Sequence, residues 1–259
     1  MKRILSCGVF FFCVLHLNAQ SIDDSLYHPQ QTIYHYSRGV IDSAANIRIT
    51  NFIAPAVFIT YGSIALGNNG LRTFDHTIQR DIKNAHPNFK TSIDDFLQYS
   101  PAAAVAVLQL AGVKGKNPPL REITTYATSM AIAGGLALPI KRWTHQLRPD
   151  SSDYQSFPSG HTTTAFASAE FLRIEYGQVS PWIAVGGYAA ATATAVLRLY
   201  NNKHWFGNVI AGAGFGIIST DIGYLLNDKI FWRKKPDASL SIFPVYQNGS
   251  YGIGLVKIF

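Results

Sequence analysis

The stretch "QSFPSGHTTTAFASAEF", residues 155–171, sets a proline, a serine, a glycine and a histidine directly before a helical run. The first amides of a helix lack intrahelical partners, and the helix dipole is positive at that end. Such a start is a ready anion site. Ser159 is a cap by type, Gly160 lets a ligand approach the backbone, and His161 adds a ring that titrates near neutral pH. An ordinary capped helix start has the same four residues. What decides between the two readings is the rest of the chain.

Two further clusters flank that start. Upstream is "KRWTHQLRP", with Lys141 followed after six residues by Arg148-Pro149. Downstream is "RLYNNKHWFGN", with Arg198, then His204, then Asn208 four positions on. Each is weak alone, since cations in a basic protein are mostly solvated. A seven-residue separation is about two helical turns, so Lys141 and Arg148 are expected on one helix face. Three cations, Lys141, Arg148 and Arg198, converging on one point neutralise a dianion. Ser159 and the amides of Gly160 and His161 add neutral donors. Two histidines on opposite sides then supply a nucleophile and an acid. The chemistry is that of a phosphate site.

Around these clusters the chain reads as all-α. Six apolar segments of helical length run at roughly 48–66, 93–113, 120–143, 160–176, 181–200 and 205–227. Ser180-Pro181 is a cap followed by proline in the first turn. Between the first two segments, Leu71, Phe74, Ile78 and Ile82 share one face of an amphipathic helix. That helix either packs on the domain or lies on a membrane surface. Residues 238–259 change period: "SLSIFPVYQNGSYGIGLVKIF" alternates about Asn248-Gly249, a β-hairpin signal, with Pro244 confining its strand to an edge or a bulge. The terminal Phe259 resembles the end of an outer-membrane barrel strand, but one hairpin closes no barrel.

Residues 1–20 read as a secretory signal peptide, with Lys2 and Arg3 before the apolar run Ile4–Leu17, and residues 21–46 as a polar lead-in. An uncleaved anchor helix is the alternative. Cys7 and Cys13, the two cysteines of the chain, both fall in the leader, so a mature chain relies on its core rather than on disulfides. The net charge is +7, with 14% charged residues against roughly 25% in an average soluble domain. No basic stripe for nucleic acid and no internal repeat is present. Segments 181–200 and 208–226 are long and apolar enough to span a bilayer. With a cleaved leader, six spans put the site in the cytoplasm. A retained first segment, or a bundle that does not span, puts it on the exported side. Asp94, Asp95, Gln98, Glu170, Arg173 and Glu175 interrupt two of the segments and weigh toward the non-spanning bundle.

The order of these clusters, with flanks "FPSGHTTTAFA" and "HWFGNVIAG", resembles the type 2 phosphatidic acid phosphatase (PAP2) superfamily, which includes bacterial acid phosphatases and vanadium haloperoxidases. The resemblance covers about residues 50–227. It implies a helical bundle of about six core helices with the site between them. It also implies an exported phosphatase acting on phosphomonoesters or diphosphates, lipid phosphates included. His204 would attack phosphorus and form phosphohistidine. His161 would protonate the leaving oxygen and later activate water. Lys141, Arg148, Arg198, Ser159 and Gly160 would bind the oxygens. The family's phosphatases use no metal cofactor, and Asp94-Asp95 reads here as an adjacent pair pointing apart on a helix. Asn208 departs from the pattern, which has Asp four residues after the nucleophile. The same exchange in a serine-protease triad lowers the rate by about 10⁴. That leaves a non-catalytic phosphate- or lipid-binding protein as the first alternative and a vanadate-dependent haloperoxidase as the second. His145, Trp143, Trp205 and Phe206 are candidates for the pocket wall, with plain packing as the other option.

Overall fold

The structure, a computed structural model, describes residues 47–230 in full and the backbone of 240–247 and 250–257. The signal peptide, the polar lead-in, Asn248-Gly249 and Phe259 of the sequence reading lie outside the described residues. A 3-10 turn, Ile49–Phe52, leads into eight α-helices: α1 (Ile53–Ile64), α2 (Gly70–Ala85), α3 (Ile93–Leu97), α4 (Ser100–Leu110), α5 (Pro119–Thr144), α6 (Gly160–Tyr176), α7 (Pro181–Tyr200) and α8 (Phe206–Ile230). Two strands follow, β1 (Leu240–Gln247) and β2 (Ser250–Lys257), paired antiparallel from Leu240 opposite Lys257 to Gln247 opposite Ser250. Pro244 stands opposite Ile253 in this two-stranded sheet, where each strand is an edge.

The segment read as one helix over 93–113 is two. α3 stops after five residues, and α4 restarts with Pro101 in its first turn, where a proline has no donor to lose. The break separates a short piece carrying Asp94 and Asp95 from an apolar rod. Helix α5 ends at His145, which takes a left-handed conformation (φ 45°), so the chain leaves the helix before Arg148. Lys141 and Arg148 therefore do not share a helix face, as their spacing suggested. Lys141 sits in the last turn of α5, and Arg148 comes from the loop beyond.

α8 is the central rod. It packs on α6, α1 and α5, and Gly207, Ala211, Gly212, Ala213, Gly214 and Gly216 are all buried along it. Small residues let backbones close in, as is usual where helices pack without large side chains between them. At Gly212 a β-carbon would stand 2.8 Å from the Ser159 carbonyl and 3.1 Å from Thr162 Cβ. Gly212 thus sets the distance between α8 and the start of α6, where the phosphate-type motif begins.

α5, α7 and α8 are each long and apolar enough to cross a membrane. Large apolar side chains face outward on several helices, among them Val57 on α1, Leu110 on α4, Ile123 on α5 and Trp182 on α7, and Leu110 is 88% exposed. Water disfavours so many outward apolar side chains, and with the three spanning-length helices they mark a membrane protein. Glu170 and Glu175 are buried inside the bundle, so they do not bar α6 from such a setting.

The amphipathic helix α2 turns a different face inward than its pattern suggests. Its buried residues are Asp75 and Gln79, while Phe74 is 49% exposed. Asp75 Oδ1 accepts from the Gly207 amide at 3.0 Å, and Gln79 donates to the Leu199 carbonyl at 3.3 Å and to Asn202. Polar anchoring of the chain on either side of His204 thus takes precedence over burial of the apolar stripe.

Gly212→Ala is expected to lower stability by about 1–3 kcal/mol through overpacking, read as a fall in thermal midpoint of the detergent-solubilised protein. Burial raises the Asp75 carboxyl to about 6. The folded form then holds its proton more tightly than the unfolded form, so stability falls as pH rises from about 4 to about 6. Asp75→Asn should flatten that slope in a melting series.

Candidate active site

The motif residues meet at the start of α6. Ser159 caps that helix: its Oγ accepts from the Thr162 amide at 3.4 Å and from the Thr162 hydroxyl at 2.9 Å. Its own amide donates to the Asn208 carbonyl at 3.1 Å, which ties the cap to α8. The capping oxygen is fully buried and engaged within the helix start, so Ser159 is a builder of the site more than a free donor. Gly160 lies beside the Lys141 chain, with a built β-carbon 3.9 Å from Lys141 Cε. Lys141 is buried, and its ammonium donates to the carbonyls of Gln155 at 2.8 Å and Pro158 at 2.6 Å. Two carbonyls hold the cation without neutralising it.

His204 is 1% exposed, between α7 and α8. Its Nδ1 meets the Ser156 carbonyl at 2.8 Å, and its Nε2 meets Arg148 Nη1 at 3.2 Å. A carbonyl only accepts and a guanidinium only donates. Both contacts therefore require one tautomer, with the proton on Nδ1 and the lone pair on Nε2. Burial, and then the cations Lys141, Arg148 and Arg198, push the ring's pKa well below the usual imidazole value. The ring is neutral at physiological pH, and its lone pair faces the cation cluster.

Among the described residues, no hydrogen bond joins Asn208 to that ring. The Asn208 amide donates to Ser156 Oγ at 2.6 Å, and the Ser156 backbone holds the histidine. Ser156, fully buried, is thus a site residue that the motif reading missed. No residue-type signal marks a backbone acceptor. The Asn208 effect is indirect, through the residue that supplies the carbonyl.

The other cations are anchored by carboxylates. Arg148 Nε donates to Asp153 Oδ1 at 2.7 Å, and Nη1 also reaches the Lys203 carbonyl at 3.2 Å. Arg198 Nη1 donates to Asp94 Oδ2 at 2.6 Å, while its buried Nε has no hydrogen-bond partner among the described residues. His161 Nε2 meets Asp95 Oδ1 at 2.8 Å. The view that Asp94 and Asp95 point away from each other on a helix is therefore corrected. α3 is only a turn and a half long, and it directs one carboxylate to Arg198 and the other to His161. Ligating atoms of Asp94, Asp95 and His161 lie within 4.8 Å of one another, a carboxylate–histidine group that sequence spacing did not reveal. Asp95 already bonds His161, and Asp94 already bonds Arg198.

The aromatic candidates lie outside the cation cluster. Trp143 is 87% exposed, and His145 stacks on Tyr154 with ring centres 4.5 Å apart. Trp205 packs against His76 and under the Arg72 guanidinium, and Phe206 meets Tyr61 and Phe74 edge-on. These contacts clamp the α7–α8 turn to α1 and α2.

Because Ser156, not Asn208, fixes the ring, Asn208→Asp should change kcat for phosphate-ester hydrolysis by less than about 10-fold, against about 10⁴ for a residue in direct contact with the ring. A change near the larger figure would mean that position 208 touches the ring during turnover.

The chain is similar to several known proteins. The PAP2 superfamily model matches residues 122–232. Lipid A 1-phosphatase of Porphyromonas gingivalis is 39% identical over 145 residues, 56% of this chain. The match spans 33% of that relative's length. A transmembrane PAP2-type phosphatidylglycerolphosphate phosphatase from Bacillus subtilis aligns at TM-score 0.48 and 16% identity, over 70% of this chain and 98% of that one. In sequence order and motif spacing, the chain is similar to the PAP2 superfamily over residues 122–232.

Proposed function

We propose that this protein is a membrane-embedded phosphatase that hydrolyses phosphomonoesters or diphosphates, with lipid phosphates foremost. The observation that carries the reading is the tautomer of His204, whose Nε2 lone pair accepts from Arg148 and lies in the field of Lys141, Arg148 and Arg198. A neutral nucleophile inside a cluster of cations fits an anionic electrophile. A phosphoryl group brings the charge that those cations lack.

The steps follow from the residues. Arg148, Arg198, Lys141 and the Gly160 amide bind the phosphoryl oxygens and hold them as charge moves in the transition state. The His204 Nε2 lone pair forms the N–P bond while the bond from phosphorus to the leaving oxygen breaks. His161 gives its proton to that oxygen. The phosphorylated ring is positive, and the Ser156 carbonyl on Nδ1–H stabilises it. Water then attacks phosphorus, His161 takes a proton from it, and phosphate leaves with His204 restored.

Membrane spans beside the site, and a relative named for a phosphate of lipid A, favour a lipid substrate. We place the site on the exported face of the membrane, which for a spanning bundle requires that the first segment be retained as an anchor. The test is phosphate release by detergent-solubilised protein from a lipid monophosphate and an aryl phosphate, with a chelator present. Wild type should turn over. His204→Ala should lose at least about 10³-fold, the order expected when a nucleophile is removed. Wild-type protein silent on both esters would leave the binding-protein alternative standing.

A further inference from the structure

Of the two catalytic-type histidines, His161 contacts a carboxylate and His204 does not. Resting on the phosphatase reading, we infer that Asp95 is the positioning residue of the acid–base histidine: in this site carboxylate support sits on the proton donor, while the nucleophile relies on a backbone carbonyl.

The placement is built. Thr91 and Asn201 exchange two hydrogen bonds, amide to Oδ1 and Nδ2 to carbonyl, each at 2.9 Å. Asn201 Nδ2 also donates to Asp94 Oδ1 at 3.0 Å, and Arg198 holds the other oxygen of Asp94. The segment from Thr91 to Asp94 is thus locked to the end of α7. Asp95, the next residue, is delivered to His161 Nε2 at 2.8 Å. A carboxylate there fixes the proton on Nε2 and leaves Nδ1 as the working nitrogen. It also favours the imidazolium, which is the form that can protonate a leaving group.

The surrounding charges make that support necessary. Arg198 from α7 and Asp94 and Asp95 from α3 act on the ring, and Lys141 from α5 stands beside Gly160. Burial first, and then Arg198, lower the His161 pKa, while Asp95 and Asp94 oppose them. Without Asp95 less of the acid form is present at neutral pH, so the basic limb of kcat/KM moves to lower pH. The Asp95 side chain is 53% exposed, and a pair so exposed contributes little to stability.

The experiment compares wild type, Asp95→Asn, Asp95→Glu and His161→Ala on two esters. One is an alkyl or lipid phosphate, whose leaving oxygen needs a proton. The other is 4-nitrophenyl phosphate, whose leaving oxygen does not. Asp95→Asn should lower kcat/KM about 10- to 100-fold on the first and less than about 3-fold on the second, in the same sense as His161→Ala. Asp95→Glu should recover part of the loss, and the melting temperature should stay at the wild-type value. Equal losses on both esters, or no loss on either, would overturn the Asp95 role while leaving the phosphatase reading intact. A silent wild type would sink both.

Discussion

The fold is arranged around desolvated positive charge. Lys141 and Arg198 are buried and Arg148 is half-buried, and all three act on one buried ring. Taking cations out of water is unfavourable unless each finds partners. The partners differ in kind, and the difference decides the chemistry. Among the described residues Lys141 receives two carbonyls, Arg148 a carboxylate on an outer loop, and Arg198 a carboxylate on α3. The cations are held by their far sides. Burial first, and then their combined field at His204, keep the ring neutral.

That requirement explains much of the irregular structure. α5 stops at a left-handed His145 so that the chain can loop back with Arg148 and Asp153. α3 is cut short so that two consecutive carboxylates can serve two different partners. α2 buries Asp75 and Gln79 and leaves Phe74 half outside, because its role in the bundle is to brace the turn carrying His204. By contrast, α8 is regular throughout, and its glycines bring the cap at Ser159 close enough for the Asn208 carbonyl to bond it.

The long helices, the capped start at Ser159 and the three cations were legible in the sequence, because they rest on residue type and order. Apolar length, a proline in a first turn and a serine before glycine each have a local physical cause. What the sequence hid depends on backbone groups and on chain reversal. The Ser156 carbonyl that fixes His204 could belong to any residue. The αL exit at His145 has no glycine to announce it. Asp94 and Asp95 look like a solvated acidic pair until the break before Pro101 frees their short helix to face α6 and α7. At Asn208 the residue type drew attention to a contact that the backbone of Ser156 makes instead.

On the proposed reading of His204 as the nucleophile, its Nε2 contact with Arg148 has a consequence for selectivity. At rest the reactive lone pair is shared with a guanidinium, and the ring has almost no surface of its own. A neutral electrophile has nothing with which to draw Arg148 away. An anion competes for the guanidinium directly and uncovers the nitrogen as it binds. Charge recognition and release of the nucleophile are then one event, and the residue that reads the ligand's charge is also the guard on the atom that reacts.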